Sequence, residues 1–155
     1  MKKIFIISFL ILIVDQIIKL SITSSITLYQ TISIIKYFFY LTHVHNIGAA
    51  WSILEENGIF LILIALTSLV LIYIFLIKNK DLKQIDKWTY GILIGGILGN
   101  LFDRIIHGYV IDYLEFHIFN YHFPIFNLAD ICIVVSVMLI VISIIKEEGH
   151  GKNNR

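Results

Sequence analysis

Apolar residues gather into four stretches, at about 4–22, 59–77, 88–106 and 125–145. Each is close to the roughly 20 residues an α-helix needs to cross a hydrocarbon core. The pattern therefore predicts an all-α membrane protein with four transmembrane helices in one integral membrane domain, residues 1–155. The first stretch follows Met1-Lys-Lys, as a signal peptide would. Asp15 and Lys19 interrupt its apolar core and no A-x-A-like cleavage site follows, so it reads as a retained span. The segment from Thr27 to Trp51 has a different texture, rich in β-branched and aromatic residues with partial alternation. It suggests short strands forming a small β-rich cradle outside the bilayer, with aromatics suited to the headgroup belt. A purely structural interfacial hairpin is the alternative.

Composition supports the membrane class: 58% of the 155 residues are hydrophobic, against about 45–50% in a soluble domain. The formal charge of +1 and the lack of a basic stripe predict no nucleic-acid partner. A single cysteine, Cys132, excludes an intrachain disulfide and a thiolate metal site, and reads as a small apolar residue in the last span. Charge placement predicts orientation. Lys2 and Lys3, the 78–87 loop with Lys78, Lys80, Lys83 and Lys87, and the tail with Lys146, Lys152 and Arg155 read as cytoplasmic. Both termini then face the cytoplasm, and segments 23–58 and 107–124 face outward.

Polar residues within the spans cluster toward those outward ends. Asp15 and Lys19 lie in the first span, with Asn46 just before the second. Asn100, Asp103 and Arg104 close the third, and Asn127 and Asp130 open the fourth. An ionisable group inside a membrane span is a functional-site candidate by default, which singles out Asp130. Pro124 suits the first helical turn, which places Asp130 in the second turn of a helix entering from outside. Asp112 stands in the preceding outward loop; if the two acids meet, they form an aspartate dyad. Asp15 and Lys19, four apart, can pair on one helix face. Asp103 and Arg104 are adjacent, so they point to separate partners. Gly91, Gly95 and Gly99 form small-xxx-small steps that suit close helix packing.

Other chemistries fit less well. His43 and His45 would share a strand face near His107, His117 and His122, but no H-E-x-x-H motif accompanies them. Surface histidines explain the set, and neither metal nor cofactor is expected. Ser52 lies outside any G-x-S-x-G. A small transporter or proton-conducting subunit is the competing class. It would need polar groups along the full membrane depth, whereas the second span offers only Thr67 and Ser68. A rhomboid-like or presenilin-like protease would lack its serine motif or its Gly-x-Gly-Asp block.

In order, the chain carries Asp15-Gln-Ile-Ile-Lys19, Asn46-Ile-Gly-Ala-Ala-Trp-Ser52 and Gly95-Gly-Ile-Leu-Gly-Asn-Leu-Phe-Asp-Arg104. Val110-Ile-Asp-Tyr113 and Phe123-Pro-Ile-Phe-Asn-Leu-Ala-Asp130 follow. This set resembles the bacterial lipoprotein signal peptidase, or signal peptidase II, family over nearly the whole chain. The resemblance implies an inner-membrane aspartic protease without cofactor. Its substrate would be a prolipoprotein already carrying diacylglyceryl, cut just before the lipidated cysteine. It implies a catalytic pair at Asp112 and Asp130. Supporting residues would be Asp15, Lys19, Asn46, Asn100, Asp103, Arg104 and Asn127, with Gly48, Ala50 and Ala129 in the site walls. Trp51 stands where the family often has Phe. A monomer surrounded by membrane lipids and inhibited by the cyclic peptide globomycin is expected.

Overall fold

The computed structural model describes residues 1–48, 57–78, 82–119 and 121–152. The elements run α1 (Lys2–Ser25), β1 (Thr31–Ile35), β2 (Phe39–Asn46), α2 (Gly58–Lys78), α3 (Gln84–His107), β3 (Val110–Ile118), β4 (Tyr121–His122) and α4 (Leu128–Lys152). All four helices are long and apolar enough to cross a membrane. Their outer faces are apolar and exposed, as at Phe9, Leu20, Leu71 and Val137.

Helix α3 is central and packs against α1, α4 and α2. Lipid offers helices no hydrophobic reason to associate, so close backbone approach must supply the contact. The glycines on α3 provide it on two faces. A Cβ at Gly95 would lie 2.6 Å from the Ile11 Cβ of α1, and one at Gly99 would lie 2.6 Å from an Asp15 carboxylate oxygen. A Cβ at Gly96 would lie 2.7 Å from the Ala129 carbonyl of α4. The expected seam is present and serves both neighbours.

The strands form one antiparallel sheet in the order β1-β2-β3-β4. The segment expected to form strands supplies β1 and β2. Strand β3 lies outside the segment expected to form strands, although Val110, Ile111, Tyr113, Leu114 and Phe116 are good strand formers. Its register sets Asp112 opposite Val44, and Val110 opposite Asn46. Buried Tyr113 packs with Ile22 and Ile26, so the sheet sits on the C-terminal end of α1.

The fourth helix starts later than expected. Residues 125–127 are not helical, because Phe126 exchanges backbone hydrogen bonds with Leu114 (N···O 3.1 and 2.8 Å). Pro124 therefore precedes the helix rather than occupying its first turn. Asp130 belongs to the first turn of α4, not the second.

Candidate active site

The start of α4 is fixed by reciprocal capping. The Asn127 side-chain oxygen accepts the Asp130 N–H (3.0 Å), and an Asp130 carboxylate oxygen accepts the Asn127 N–H (3.1 Å). This pattern satisfies amide donors that a helix N-terminus leaves open. Two further amides find partners on other elements. Leu128 N–H donates to the Tyr113 hydroxyl of β3 (3.1 Å), and Ala129 N–H donates to Asp15 Oδ1 of α1 (3.1 Å). Asp130 thus sits on a helix end tied to both neighbouring layers.

Strand β3 brings Asp112 to the same place. Asp112 is buried, and its oxygens accept from Asn46 Nδ2 and Asn127 Nδ2, both at 2.7 Å. Asn127 therefore hydrogen-bonds both acids. The other Asp130 oxygen accepts from Asn100 Nδ2 (2.7 Å). Among the described residues, each carboxylate accepts two side-chain or backbone hydrogen bonds, of about four acceptor positions. Burial first, and the charge of Asp130 second, push the Asp112 carboxyl up to about 7, against the pull of the Asn46 and Asn127 amides.

The amides are themselves oriented. Gly48 N–H donates to the Asn46 side-chain oxygen (2.9 Å), which turns the Asn46 amide nitrogen toward Asp112. Arg104 donates to the Gly48 carbonyl (3.0 Å) and to the Asn100 carbonyl (3.5 Å). Lys19 donates to the Asn100 side-chain oxygen (3.2 Å), which leaves the Asn100 amide nitrogen for Asp130.

Beneath the two acids lies an ionic floor. Lys19 Nζ contacts Asp15 and Asp103, each at 2.8 Å, and all three are buried. The expected Asp15–Lys19 pair is present, with a second carboxylate attached. Asp103 and Arg104 do bond separate partners, since Asp103 also accepts the Ile111 N–H (3.2 Å). Ala129 is fully buried against α3, where Gly96 and Gly99 leave room for its backbone and methyl group.

The structure thus gathers Asp15, Lys19, Asn46, Gly48, Asn100, Asp103, Arg104, Asp112, Asn127, Ala129 and Asp130 around one end of the helices. Ala50 lies outside the described residues, as do Trp51 and Ser52. Two participants were not singled out from the sequence, Tyr113 and Gln16. Gln16 Nε2 donates to Asp103 Oδ1 at 2.9 Å. Its place between Asp15 and Lys19 in an apolar span was a usable signal. The histidines lie apart from these contacts. His43 Nδ1 bonds the Ile26 carbonyl (2.9 Å), and His45 stacks on Tyr109 (3.6 Å between centroids). Burial, then the charges of His43 and His107, lower the His45 pKa.

Fold and site together define a small multi-pass membrane protein with two carboxyl groups at one end of its helices that both accept from Asn127, one from its side-chain amide and one from its backbone N–H. Residues 7–146 match the family model for signal peptidase (SPase) II, and the chain belongs to that family of peptidases. It is 38% identical to a lipoprotein signal peptidase of Clostridium tetani, over 90% of each chain. It is 40% identical to one from Alteromonas mediterranea, over 90% of this chain and 79% of that one. A solved structure described as a bacterial membrane enzyme superposes with a TM-score of 0.89 at 31% identity, covering 97% of this chain and 92% of the other.

Proposed function

We propose that this chain is an aspartic endopeptidase that removes signal peptides from diacylglyceryl-modified prolipoproteins, cutting before the lipidated cysteine, with Asp112 and Asp130 as its catalytic pair. The observation that carries the reading is the Asn127 residue shared by both acids. It argues for two carboxyl groups held as one unit. Such a pair resists double ionisation and retains one proton between its members. The ionised member takes a proton from a water molecule. As the water oxygen bonds to the scissile carbonyl carbon, the protonated member donates to the carbonyl oxygen; the proton taken from water then passes to the amine nitrogen as the C–N bond breaks. The acceptor positions that the described residues leave open on both acids are available for the water and the shared proton. Because the partners act as one titrating unit, either acid can begin as the base.

The remaining polar residues keep the pair in place. Asn46 and Asn127 hold Asp112, while Asn100 and the Asn127 amide hold Asp130. Arg104 secures the Gly48 turn that orients Asn46. One chain supplies both acids, which supports a monomeric enzyme. The substrate is itself largely a membrane helix with acyl chains, so lateral entry from lipid suits a site at the helix ends.

In the bacterial inner membrane this reading sets both termini in the cytoplasm and the acids toward the outer face. Lys2 and Lys3 begin α1, Lys78 ends α2 and Lys146 lies late in α4, all away from the acids along their helices. Lys3 Nζ lies 5.2 Å from the Trp88 ring, which joins the starts of α1 and α3 at that far end.

The test incubates the purified protein in detergent with a diacylated prolipoprotein. The expected result is a shortened product, abolished by globomycin and by Asp112→Asn or Asp130→Asn in proteins that still insert. Full activity of either variant would remove the dyad, and cleavage of a soluble peptide in preference to the lipidated substrate would remove the substrate class.

A further inference from the structure

The ionic floor touches the backbone directly before each acid. Asp103 Oδ2 accepts the N–H of Ile111, the residue before Asp112. Asp15 Oδ1 accepts the N–H of Ala129, the residue before Asp130. The spacing between Asp15 and Asp103 therefore bears on the spacing between the two acids. Lys19 is one link between them, at 2.8 Å to each.

Gln16 is the second link. Its Nε2 donates to Asp103 Oδ1 at 2.9 Å and lies 3.3 Å from both Asp15 Oδ2 and the Gly99 carbonyl. The electrostatics give this link a purpose. Asp15 and Asp103 are 0% exposed and Lys19 1%, so two carboxylates share one buried ammonium. Carboxylates so placed repel one another unless further donors sit between them. The Gln16 amide is neutral, carries two N–H groups, and reaches both acids without adding charge. It also ties α1 to the α3 backbone at Gly99, where the helices are in close contact.

We infer that Gln16 is a positioning residue of the peptidase: its amide clamps Asp15 to Asp103, and through their bonds to Ala129 and Ile111 it fixes the separation of Asp130 and Asp112. The inference rests on the catalytic pair proposed above. Gln16 acts through the floor and does not touch the scissile bond.

Gln16→Met is the direct test, since it keeps the length and flexibility of the side chain and removes both N–H donors. Activity is measured on the diacylated prolipoprotein beside Asp112→Asn, Asp130→Asn and Gln16→Glu. Loss of the clamp lowers kcat by about tenfold or more, because small misplacements of reacting groups are costly, while KM changes by less than about threefold. Gln16→Glu adds a third carboxylate to the floor and lowers kcat further. A Gln16→Met enzyme with unchanged kcat overturns the inference, as does a loss expressed only in KM. Failure of Gln16→Met to accumulate in the membrane also overturns it, by assigning Gln16 to folding. If instead Asp112→Asn or Asp130→Asn remains fully active, the catalytic pair fails, whatever Gln16→Met does.

Discussion

Asp112 carries a pH signature of its own. Its carboxyl is raised to about 7 from 3.8, chiefly by burial and then by the charge of Asp130. The folded state therefore favours its protonated form. That contribution to stability is present below the ordinary carboxylate range and is lost as pH rises through about 7. With Asp112 and Asp130 as the proposed catalytic pair, activity should share the upper limit, because a pair stripped of its last proton cannot donate to the carbonyl. The profile of kcat/KM against pH is expected to fall above about 7. Asn46 allows a sharper check. Its amide favours the ionised form of Asp112, so Asn46→Ala should move the alkaline limb upward, on the order of one unit for a lost hydrogen bond to a charged group. A limb that stays in place or moves down would mean that Asp112 does not govern it.

The elements explain how residues distant in sequence become neighbours, and where the sequence could and could not reveal it. The spans are legible from length and apolarity, and the polar groups clustered at one end of them account for most of the candidate site. The i, i+4 spacing made the Asp15–Lys19 pair readable. Its third member, Asp103, was not, because that contact depends on how α1 and α3 are aligned. Strand β3 was hidden by the polar residues Asp112, Glu115 and His117 among its strand formers. The α4 boundary is not legible, because Pro124 is compatible with a first helical turn, whereas pairing of Phe126 with Leu114 holds the chain extended. The capping role of Asn127 becomes visible only once that boundary is set. The α3 seam then supplies a prediction of its own. A side chain at Gly96 meets the Ala129 carbonyl, part of the first turn that carries Asp130. Gly96→Val should cost about 1–3 kcal/mol by overpacking and lower activity beyond the loss of folded protein. Thermal unfolding in detergent, with activity measured per folded molecule, checks both parts. Normal specific activity would show that α4 can shift without disturbing the pair.

For the whole molecule, the decisive question is which side of the membrane holds the acids. Helix α3 begins at Gln84 and ends at His107, where it leads into β3 and Asp112. Its two ends therefore belong to opposite faces of any bilayer it spans. The lysines cluster toward the Gln84 end, and positive residues are retained in the cytoplasm. The β3–β4 turn should then be outside. Phe119 in that turn is 99% exposed, while the native Cys132 is buried. These positions allow thiol labelling with almost no background. A membrane-impermeant maleimide added to intact cells should label Phe119→Cys and leave Gln84→Cys unlabelled. Permeabilised cells should label both, since Gln84 is also exposed. The reverse pattern in intact cells would place the acids on the cytoplasmic face. A protease acting on exported prolipoproteins needs its acids on the side where the exported part emerges, so that pattern would remove the proposed substrate as well as the orientation.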